Sequence, residues 1–190
     1  MPADLLTLVV VTGQPGTGKT TLARRLAGDL RLPLFEKDGI KEQLFDTLGW
    51  SDRAWSRRLG VASIELLFQC MERTLAAGVA TVVECNFDPV LCAPRFEKLR
   101  ARYGCQIIQI VCRAEKDVVY ERYRARWSAG DRHPGHVDES VFVELRARLD
   151  EDRDMGLPVE SARFDLYTTD FAAMDYAGLL RDVGSKLIRP

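Results

Sequence analysis

The stretch Gly13-Gln14-Pro15-Gly16-Thr17-Gly18-Lys19-Thr20 decides the fold, because it fits the pattern GxxxxGK[ST]. The residues before it, Leu5–Val11, are continuously apolar and rich in β-branched side chains, which predicts a strand buried on both faces. The residues after it, Thr20–Leu30, carry leucines at helical spacing, which predicts an amphipathic helix. A buried strand, this loop and a helix in that order predict that the chain holds the phosphates of a nucleotide.

Each part of this loop has a chemical task. Its glycines let successive backbone N–H groups point at phosphate oxygens, and the helix directs its positive end at the same oxygens. Lys19 is expected to reach the β- and γ-phosphates, and the Thr20 hydroxyl is expected to be a ligand of Mg²⁺. A nucleoside triphosphate and Mg²⁺ are therefore the expected cofactors, and this loop alone leaves ATP and GTP both open. The predicted nucleotide-binding residues of this stretch are Gly13, Gln14, Pro15, Gly16, Thr17, Gly18, Lys19, Thr20 and Thr21.

The rest of the chain alternates strands with helices. Further short apolar runs predict strands at Pro33–Glu36, Val79–Cys85, Cys105–Cys112 and Phe164–Tyr167. Helices are predicted at Asp38–Leu48, from Ser51 through Met71, and at Arg95–Tyr103, Ala114–Trp127, Val137–Asp152 and Ala172–Leu187. In the second of these, Ser51 is the candidate cap and the buried face is expected to hold Trp55, Leu59, Ala62, Leu66 and Met71. This alternation predicts an α/β fold with a five-stranded parallel sheet and helices on both faces, in a single domain over residues 1–190.

Composition excludes several classes of protein. The chain has 190 residues and a net charge of −1, which argues against an extended nucleic-acid coat. Its five cysteines are scattered without a CxxC pair, which predicts buried free thiols in a reducing compartment. No apolar run approaches the roughly 20 residues of a membrane span, and Met1–Val11 lacks the basic start of a signal peptide. We therefore expect a cytoplasmic protein that needs no membrane and no obligate protein partner.

Other segments indicate which kind of phosphate-loop protein this is. No NKxD-type segment for guanine is present, and the third strand ends in a single acid, Glu84, rather than the Asp-Glu pair expected of motor-type ATPases. The loop, Glu36–Lys41, Glu84–Asn86 and Arg122–His136 together resemble the small P-loop kinases of the AAA_33 group. These include 5′-hydroxyl polynucleotide kinases, gluconate kinases, chloramphenicol phosphotransferases and zeta toxins. The resemblance implies a three-layer, nucleoside-monophosphate-kinase-like fold with a helical insert at residues 38–77 and a helical lid at residues 122–137.

The resemblance also implies roles for residues that follow the second and third strands. Asp38 is expected to take the proton of the attacking hydroxyl, although its position alone also suits a helix N-cap. Lys41 lies where polynucleotide kinases carry a basic residue that holds an acceptor phosphate, although that residue is usually arginine. Glu84 could hold Mg²⁺ through water, touch the acceptor or form a strand-end salt bridge, and Asn86 could bind the acceptor.

The predicted fifth helix carries an arginine pair. Arg122 and Arg126 share a face of this helix, and neither has an acidic residue three or four positions away. Arg124, in contrast, has Glu121 three residues before it and is expected to be a paired surface residue. The resemblance implies a lid whose arginines clamp the triphosphate, with Arg126 catalytic and Arg132 on the acceptor side. A solvated basic face or a tertiary ion pair is the alternative interpretation.

The lid segment ends in His133-Pro134-Gly135-His136. Gly130 and Gly135 would allow hinge motion. Two histidines alone do not make a metal site, so we expect both on the lid surface, with at most a phosphate contact.

A second arginine pair lies in the insert. Arg53 and Arg57 share a helix face without an acidic partner in sequence, near a helix start where the dipole disfavours cations. This predicts a second anion site, for an acceptor that carries phosphate or carboxylate. Trp50 and Trp55 could stack a base or sugar ring there, although tryptophans at helical spacing usually belong to a core.

Two functions remain open from the sequence. The first is an ATP- and Mg²⁺-dependent kinase, with Lys19, Asp38 and Arg126 catalytic and a small molecule or a nucleic-acid 5′ end as acceptor. The second is a nucleotide-dependent interaction module that hydrolyses its nucleotide slowly. The sequence does not name the acceptor.

Overall fold

The computed structural model describes residues 6–130, 132–137, 149, 151 and 153–187. Its strands are β1 (Thr7–Gly13), β2 (Leu34–Glu36), β3 (Thr81–Glu84), β4 (Gln106–Arg113) and β5 (Ala162–Tyr167). They form one sheet in the order β2-β3-β1-β4-β5, and every neighbouring pair is parallel. The predicted five-stranded parallel sheet is confirmed, and its strand ends lie within one or two residues of those expected.

Helices connect the strands. They are α1 (Lys19–Leu30), α2 (Lys37–Leu48), α3 (Arg53–Ala76), α4 (Pro89–Tyr103), α5 (Lys116–Ala129) and α6 (Tyr176–Lys186), with a 3₁₀ turn at Pro134–His136. The helix expected at Val137–Asp152 lies outside the described residues, apart from 137, 149 and 151. Over the parts of the chain that the structure describes, no helix is both long enough and apolar enough to cross a bilayer.

Two helices start differently from the prediction. Asp38 is not the cap of α2, because the helix already begins at Lys37 and Glu36 occupies the cap position without a side-chain bond. The cap of α3 is Asp52 rather than Ser51, because the Asp52 carboxylate accepts a hydrogen bond from Trp55 N at 2.8 Å. The N-cap interpretation of Asp38 is therefore wrong.

The buried face of α3 also differs in part. Leu59 and Met71 are buried as expected, but Leu66 is 39% exposed and Leu67 and Phe68 face the core instead. Ser56 and Ser63 also lie on the buried face. Because these buried positions are polar, the spacing of the apolar residues alone does not predict the buried face of α3 correctly.

The α4 helix begins six residues before the expected Arg95. Asp88 caps it by accepting hydrogen bonds from Val90 N and Leu91 N, and Pro89 suits the first turn because a proline there sacrifices no helical donor. Pro94 lies inside the helix, and because an internal proline usually ends or kinks a helix, the sequence did not predict a start before it. At the other end of the chain, α6 begins at Tyr176 rather than Ala172, with Asp175 as its cap.

The sheet separates two apolar layers. Leu8 and Val10 of β1 face α3 and α4, whereas Val9 and Val11 face α1 and α6. Each buried side chain of this size contributes about 1.5–3 kcal/mol to folding, so both faces of β1 hold helices against the sheet. The five cysteines are free and all but the half-buried Cys70 are buried, as the sequence predicted for most of them.

Candidate active site

The loop between β1 and α1 is folded around one carbonyl group. The backbone oxygen of Gln14 accepts hydrogen bonds from Thr17 N at 3.3 Å, Thr17 Oγ1 at 2.8 Å and Lys19 Nζ at 3.4 Å. Gly18 adopts the left-handed conformation, with φ of 76°, which glycine accepts without strain. The first turn of α1 contains no acidic residue, so the positive end of the helix faces the loop uncompensated by its own side chains.

Glu84 lies beside this loop because β3 pairs with β1 and places Glu84 opposite Val11. Its carboxylate accepts a hydrogen bond from Thr20 Oγ1 at 3.3 Å and lies 3.7 Å from Lys19 Nζ. Burial raises the pKa of this carboxyl, against the opposing charge of Lys19. A hydroxyl and a carboxylate are oxygen ligands that suit Mg²⁺, so Thr20 and Glu84 fit the expected ion.

Asp38 faces the loop from the first turn of α2. Its carboxylate lies 2.8 Å from Lys37 Nζ and 3.4 Å from Arg132 Nη2, and its side chain is 45% exposed. Burial acts to raise the pKa of this carboxyl, but the charges of Lys37 and Arg132 outweigh it and hold the pKa well below its ordinary value. Asp38 is therefore an anion that can orient a hydroxyl donor.

One cavity of about 420 Å³ joins these groups. The phosphate loop forms one wall, the start of α2 forms another, and lid arginines close the third side. Its lining consists of Pro15, Gly16, Gly18, Lys19, Thr20, Thr21, Lys37, Asp38, Asn86, Arg122, Ala125, Arg126, Arg132 and Phe171. Gly13, Gln14 and Thr17 complete the loop behind this wall.

Arg122 ties α5 to the segment after β5. Its Nη2 donates to the carbonyl oxygens of Thr168 at 2.7 Å and Thr169 at 3.0 Å, and the guanidinium lies 5.3 Å from the ring centre of Phe171. Its Nη1 is buried without a hydrogen-bond partner among the described residues, so one donor remains for a ligand. No local pattern predicted a role for Phe171, because the residues that it contacts, Gly18 and Arg122, are distant in the chain.

The lid arginines differ in their surroundings. Arg126 lines the cavity, with its guanidinium 5.7 Å from the ring centre of Tyr123. Arg132 contacts Asp38. Arg124 pairs with Glu121 at 3.1 Å on the surface, which confirms its predicted pairing.

Lys41 is the most buried of the predicted acceptor-binding cations, at 6% exposure. Its Nζ donates to Ser56 Oγ at 2.9 Å and lies 5.1 Å from the ring centre of Phe45. Burial and the charges of Lys37, Arg132 and Arg53 lower the pKa of Lys41 to about 8, although Asp38 opposes this shift. A buried ammonium among cations is a chemical setting that suits an anion.

The structure does not bring every predicted acceptor residue into the cavity. Asp38, Asn86 and Arg132 line it. Lys41 and Arg53 are not among its lining residues, although the charges of Asp38 and Arg132 act on Lys41. Arg57 is on the exposed side of α3. Glu84 does not line the cavity but contacts Thr20 and Lys19 of the phosphate loop.

The two tryptophans belong to the insert, around the start of α3. Trp50 is 52% exposed, and its ring meets the edge of His133 at 6.3 Å. Trp55 is half-buried and donates from Nε1 to the Gly49 carbonyl oxygen at 2.9 Å. Neither ring belongs to the described lining of the cavity.

The histidines are not on the lid surface, so that expectation is wrong. His136 is 3% exposed and His133 has 18% of its side chain exposed, because both pack against Phe45 of α2. Among the described residues, no cluster of three or more His, Cys, Asp or Glu side chains suited to a metal occurs.

Comparison with known proteins places these features in a family. The AAA_33 family model, described as an AAA domain, matches residues 8–151. A protein from Chloroflexus aurantiacus J-10-fl, whose crystal structure is described as that of a "putative kinase", is 38% identical, with a TM-score of 0.87. The match covers 96% of this chain and 98% of that one. No curated protein matches the chain.

More distant structures share the fold. A sugar kinase from Janibacter sp. HTCC2649 is 18% identical with a TM-score of 0.52, over 96% of this chain and 90% of that one. A gluconokinase from Sinorhizobium meliloti 1021 is 17% identical with a TM-score of 0.52, over 95% and 91% of the two chains. At these identities the likeness concerns the fold alone.

Proposed function

The chain belongs to the AAA_33 family of AAA domains, and on this basis we propose that it is an ATP- and Mg²⁺-dependent kinase. The acceptor is a hydroxyl group of a small molecule or of a nucleic-acid 5′ end. The likeness to the Chloroflexus structure, which spans nearly the whole chain, supports a kinase over an interaction module.

One observation carries the proposal. Asp38 lines the same cavity as Lys19 and Thr20, and Arg122, Arg126 and Arg132 line it as well. Phosphoryl transfer needs a base or orienting group for the acceptor, a cradle for the phosphates and cations for the developing charge. A module that only senses nucleotide needs the cradle and the metal ligands, but no group that orients the hydroxyl of an acceptor.

Each residue then has a role that its surroundings support. The backbone of the loop and Lys19 hold the β- and γ-phosphates, and Arg126 neutralises charge on the transferring group. The Nη1 donor of Arg122, which is buried without a hydrogen-bond partner among the described residues, is available to the nucleotide. Asp38 orients the acceptor hydroxyl and receives its proton as the new bond forms.

Thr20 and Glu84 are the residues that would hold Mg²⁺, with Glu84 acting directly or through water. The ion would supply positive charge to the phosphate oxygens. Without it, Lys19 pairs with Glu84 across 3.7 Å. Among the alternatives that the sequence left open for Glu84, this position favours the metal over the acceptor.

The acceptor side is cationic. Lys37, Lys41 and Arg132 act on the carboxylate of Asp38, and Arg53 adds to the positive charge at Lys41. We propose that the acceptor carries a phosphate or carboxylate near its reacting hydroxyl and that Asn86 contacts its neutral part. Arg57 and Trp50 lie farther out, where they suit a longer acceptor such as an oligonucleotide.

We also propose that the protein works in the cytoplasm. The support is that its five cysteines are all free, since cytoplasmic proteins keep their thiols reduced.

A labelled-phosphate screen tests the proposal. The protein is incubated with Mg²⁺ and γ-labelled ATP, and with separate pools of sugar acids, phosphorylated metabolites and 5′-hydroxyl oligonucleotides. We expect label in an organic product of one pool, identified by mass. Label that leaves ATP only as inorganic phosphate in every pool would favour the slow-hydrolysis module instead.

A further inference from the structure

Two lid histidines meet two acids of α2. His136 Nε2 lies 2.9 Å from Glu42 Oε1, and His133 Nε2 lies 3.3 Å from Asp46 Oδ1. Glu42 and Asp46 are four residues apart, so they lie on one face of the helix. Phe45 packs between the histidines, with ring centres 5.0 Å from His133 and 5.4 Å from His136.

The contacts of His136 determine which ring nitrogen carries the proton. Arg132 Nη2 lies 3.1 Å from Nδ1, and a guanidinium only donates, so Nδ1 must accept. The neutral ring therefore carries its proton on Nε2 and donates it to Glu42. His133 is arranged in the same way, since its Nδ1 accepts from Gly135 N at 3.0 Å.

Arg132 connects His136 to the active-site cavity. The same Nη2 that contacts His136 lies 3.4 Å from Asp38 Oδ2. Glu42, His136, Arg132 and Asp38 thus form a continuous chain of polar contacts from the second turn of α2 to the proposed base. The lid contributes the two middle members.

His136 is held neutral by its surroundings. Burial and the charge of Arg132 lower the pKa of His136 to about 3. The charged groups that act on it are Arg132 from the lid and Lys37, Asp38, Lys41 and Glu42 from α2, and Arg53 from α3 acts on the adjacent Lys41. A protonated ring would lose the acceptor that holds Arg132.

We propose that His136 is a positioning residue: its Nδ1 orients Arg132 toward Asp38, and its Nε2–H anchors the pair to Glu42. The role in transfer rests on the proposed kinase function. Arg132 and Lys19 line the same cavity as Asp38, so an arginine fixed at Asp38 lies where the phosphoryl group passes to the acceptor. His136 acts through Arg132 and does not touch the substrate.

Two substitutions separate the two bonds of His136. In His136→Asn the amide oxygen takes the place of Nδ1 and still accepts from Arg132, but the contact with Glu42 is lost. In His136→Gln the amide nitrogen takes the place of Nε2 and still donates to Glu42, but the acceptor for Arg132 is lost. We expect His136→Asn to keep kcat within about threefold and His136→Gln to lower it about 10- to 100-fold, because misplacing a transition-state group costs rates of this order.

His133→Asn is the matched control. It removes the contact with Asp46 and the stacking on Phe45. The described contacts of the His133 side chain do not include the guanidinium of Arg132. We expect a lower thermal stability and an unchanged kcat. KM for ATP should remain within about twofold in all three variants, since the phosphate loop is untouched. The reverse order, with Gln active and Asn impaired, would show that the histidine only latches the lid and would overturn the proposal.

Nuclear magnetic resonance provides a readout that does not depend on turnover. In His133→Asn the chain has a single histidine, so its ¹⁵N spectrum reports the His136 tautomer without overlap. We expect a proton on Nε2 down to pH 5. The guanidinium signal of Arg132, assigned by Arg132→Lys, should be restrained in wild type and His136→Asn and averaged in His136→Gln.

The two proposals fail separately. A wild-type protein that phosphorylates no acceptor, yet has the expected tautomer and Arg132 restraint, would overturn the kinase function and support the positioning of Arg132. An active wild type whose His136 carries its proton on Nδ1, or titrates near pH 6.5, would overturn the positioning role alone.

Discussion

Lys41, which we propose to bind the acceptor, shows how burial changes the charge state of a side chain. It is 6% exposed, its Nζ is bonded to a neutral hydroxyl, and cations rather than carboxylates dominate its field. The folded pKa of about 8 lies below the ordinary lysine value of 10.5, so the ammonium opposes folding at pH 7. The penalty fades as the pH rises from about 8 to 10.5, because the folded state then loses its proton before the unfolded state does.

Lys41→Met should therefore stabilise the protein at neutral pH. We expect the free energy of unfolding at pH 7 to rise by about 2 kcal/mol, after subtraction of roughly 1 kcal/mol for the lost bond to Ser56. The gain should shrink toward zero or below at pH 10, and affinity for an anionic acceptor should fall. Urea unfolding at both pH values measures the free energy of unfolding. Lys98→Met, at an exposed position, is the control, and we expect it to change the free energy of unfolding at neither pH. A variant less stable than wild type at pH 7 would refute the buried-ammonium interpretation.

Gly18 combines a backbone requirement with a packing requirement. Its φ of 76° disfavours any other residue by roughly 1–2 kcal/mol, and a Cβ there would overlap the ring of Phe171. Gly18→Ala should lower the free energy of unfolding by more than the backbone strain alone. In Gly18→Ala/Phe171→Ala, we expect only the overlap part to be recovered. A double-mutant cycle by urea unfolding measures the coupling, and strictly additive losses would mean that the ring does not press on the loop.

The lid and α2 meet through an unusually close contact. Phe45 is 1% exposed, and a Cβ on Gly135 would lie 2.7 Å from its ring. The 3₁₀ turn Pro134–His136 can therefore approach α2 only because Gly135 has no side chain. Because of this contact, the end of the lid packs directly against the insert.

Gly135→Ala should separate the lid from α2. We expect faster amide exchange at residues 132–137 and on α2, and a fall in kcat, because Arg132 leaves Asp38. Phe45→Leu in the same chain should restore part of the protection by making room for the methyl group. Hydrogen-exchange mass spectrometry measures both, and unchanged exchange in Gly135→Ala would disprove the close packing.

The sequence predicted those elements whose signals are local. The β1 strand, the phosphate loop and the Arg124–Glu121 pair all depend on residues close in the chain, and the structure places them as expected. The caps of α3 and α4 were missed because an adjacent Ser51 and an internal Pro94 gave competing signals. Local pattern cannot rank two possible caps that lie next to each other.

Long-range contacts of the site had no sequence signal. The Thr168 and Thr169 carbonyl oxygens that receive Arg122 lie 46 and 47 residues away in the chain. The contact between His136 and Glu42 spans 94 residues. The missing acid near Arg122 predicted an anion for this side chain, or a tertiary ion pair; the partners that the structure shows for its Nη2 are two backbone carbonyl oxygens instead.

The strand order explains why the site lies where it does. Because β3 and β2 lie on one side of β1 and β4 and β5 on the other, the chain reverses its direction of winding at β1. Ligands of open parallel sheets bind outside the carboxyl ends of the strands at such a point. Glu84 ends β3 and Asp38 follows β2, so the topology brings both carboxylates toward the phosphate loop.

The proposed kinase function depends above all on Asp38. We expect Asp38→Asn to lower kcat for the acceptor found in the labelled-phosphate screen by at least about 100-fold, since general acid–base groups contribute rates of this order. The dissociation constant for MgATP should stay within about threefold of wild type, measured by calorimetry on the same preparations. Full phosphoryl transfer by Asp38→Asn, with MgATP bound as in wild type, would rule out Asp38 as the group that activates the acceptor.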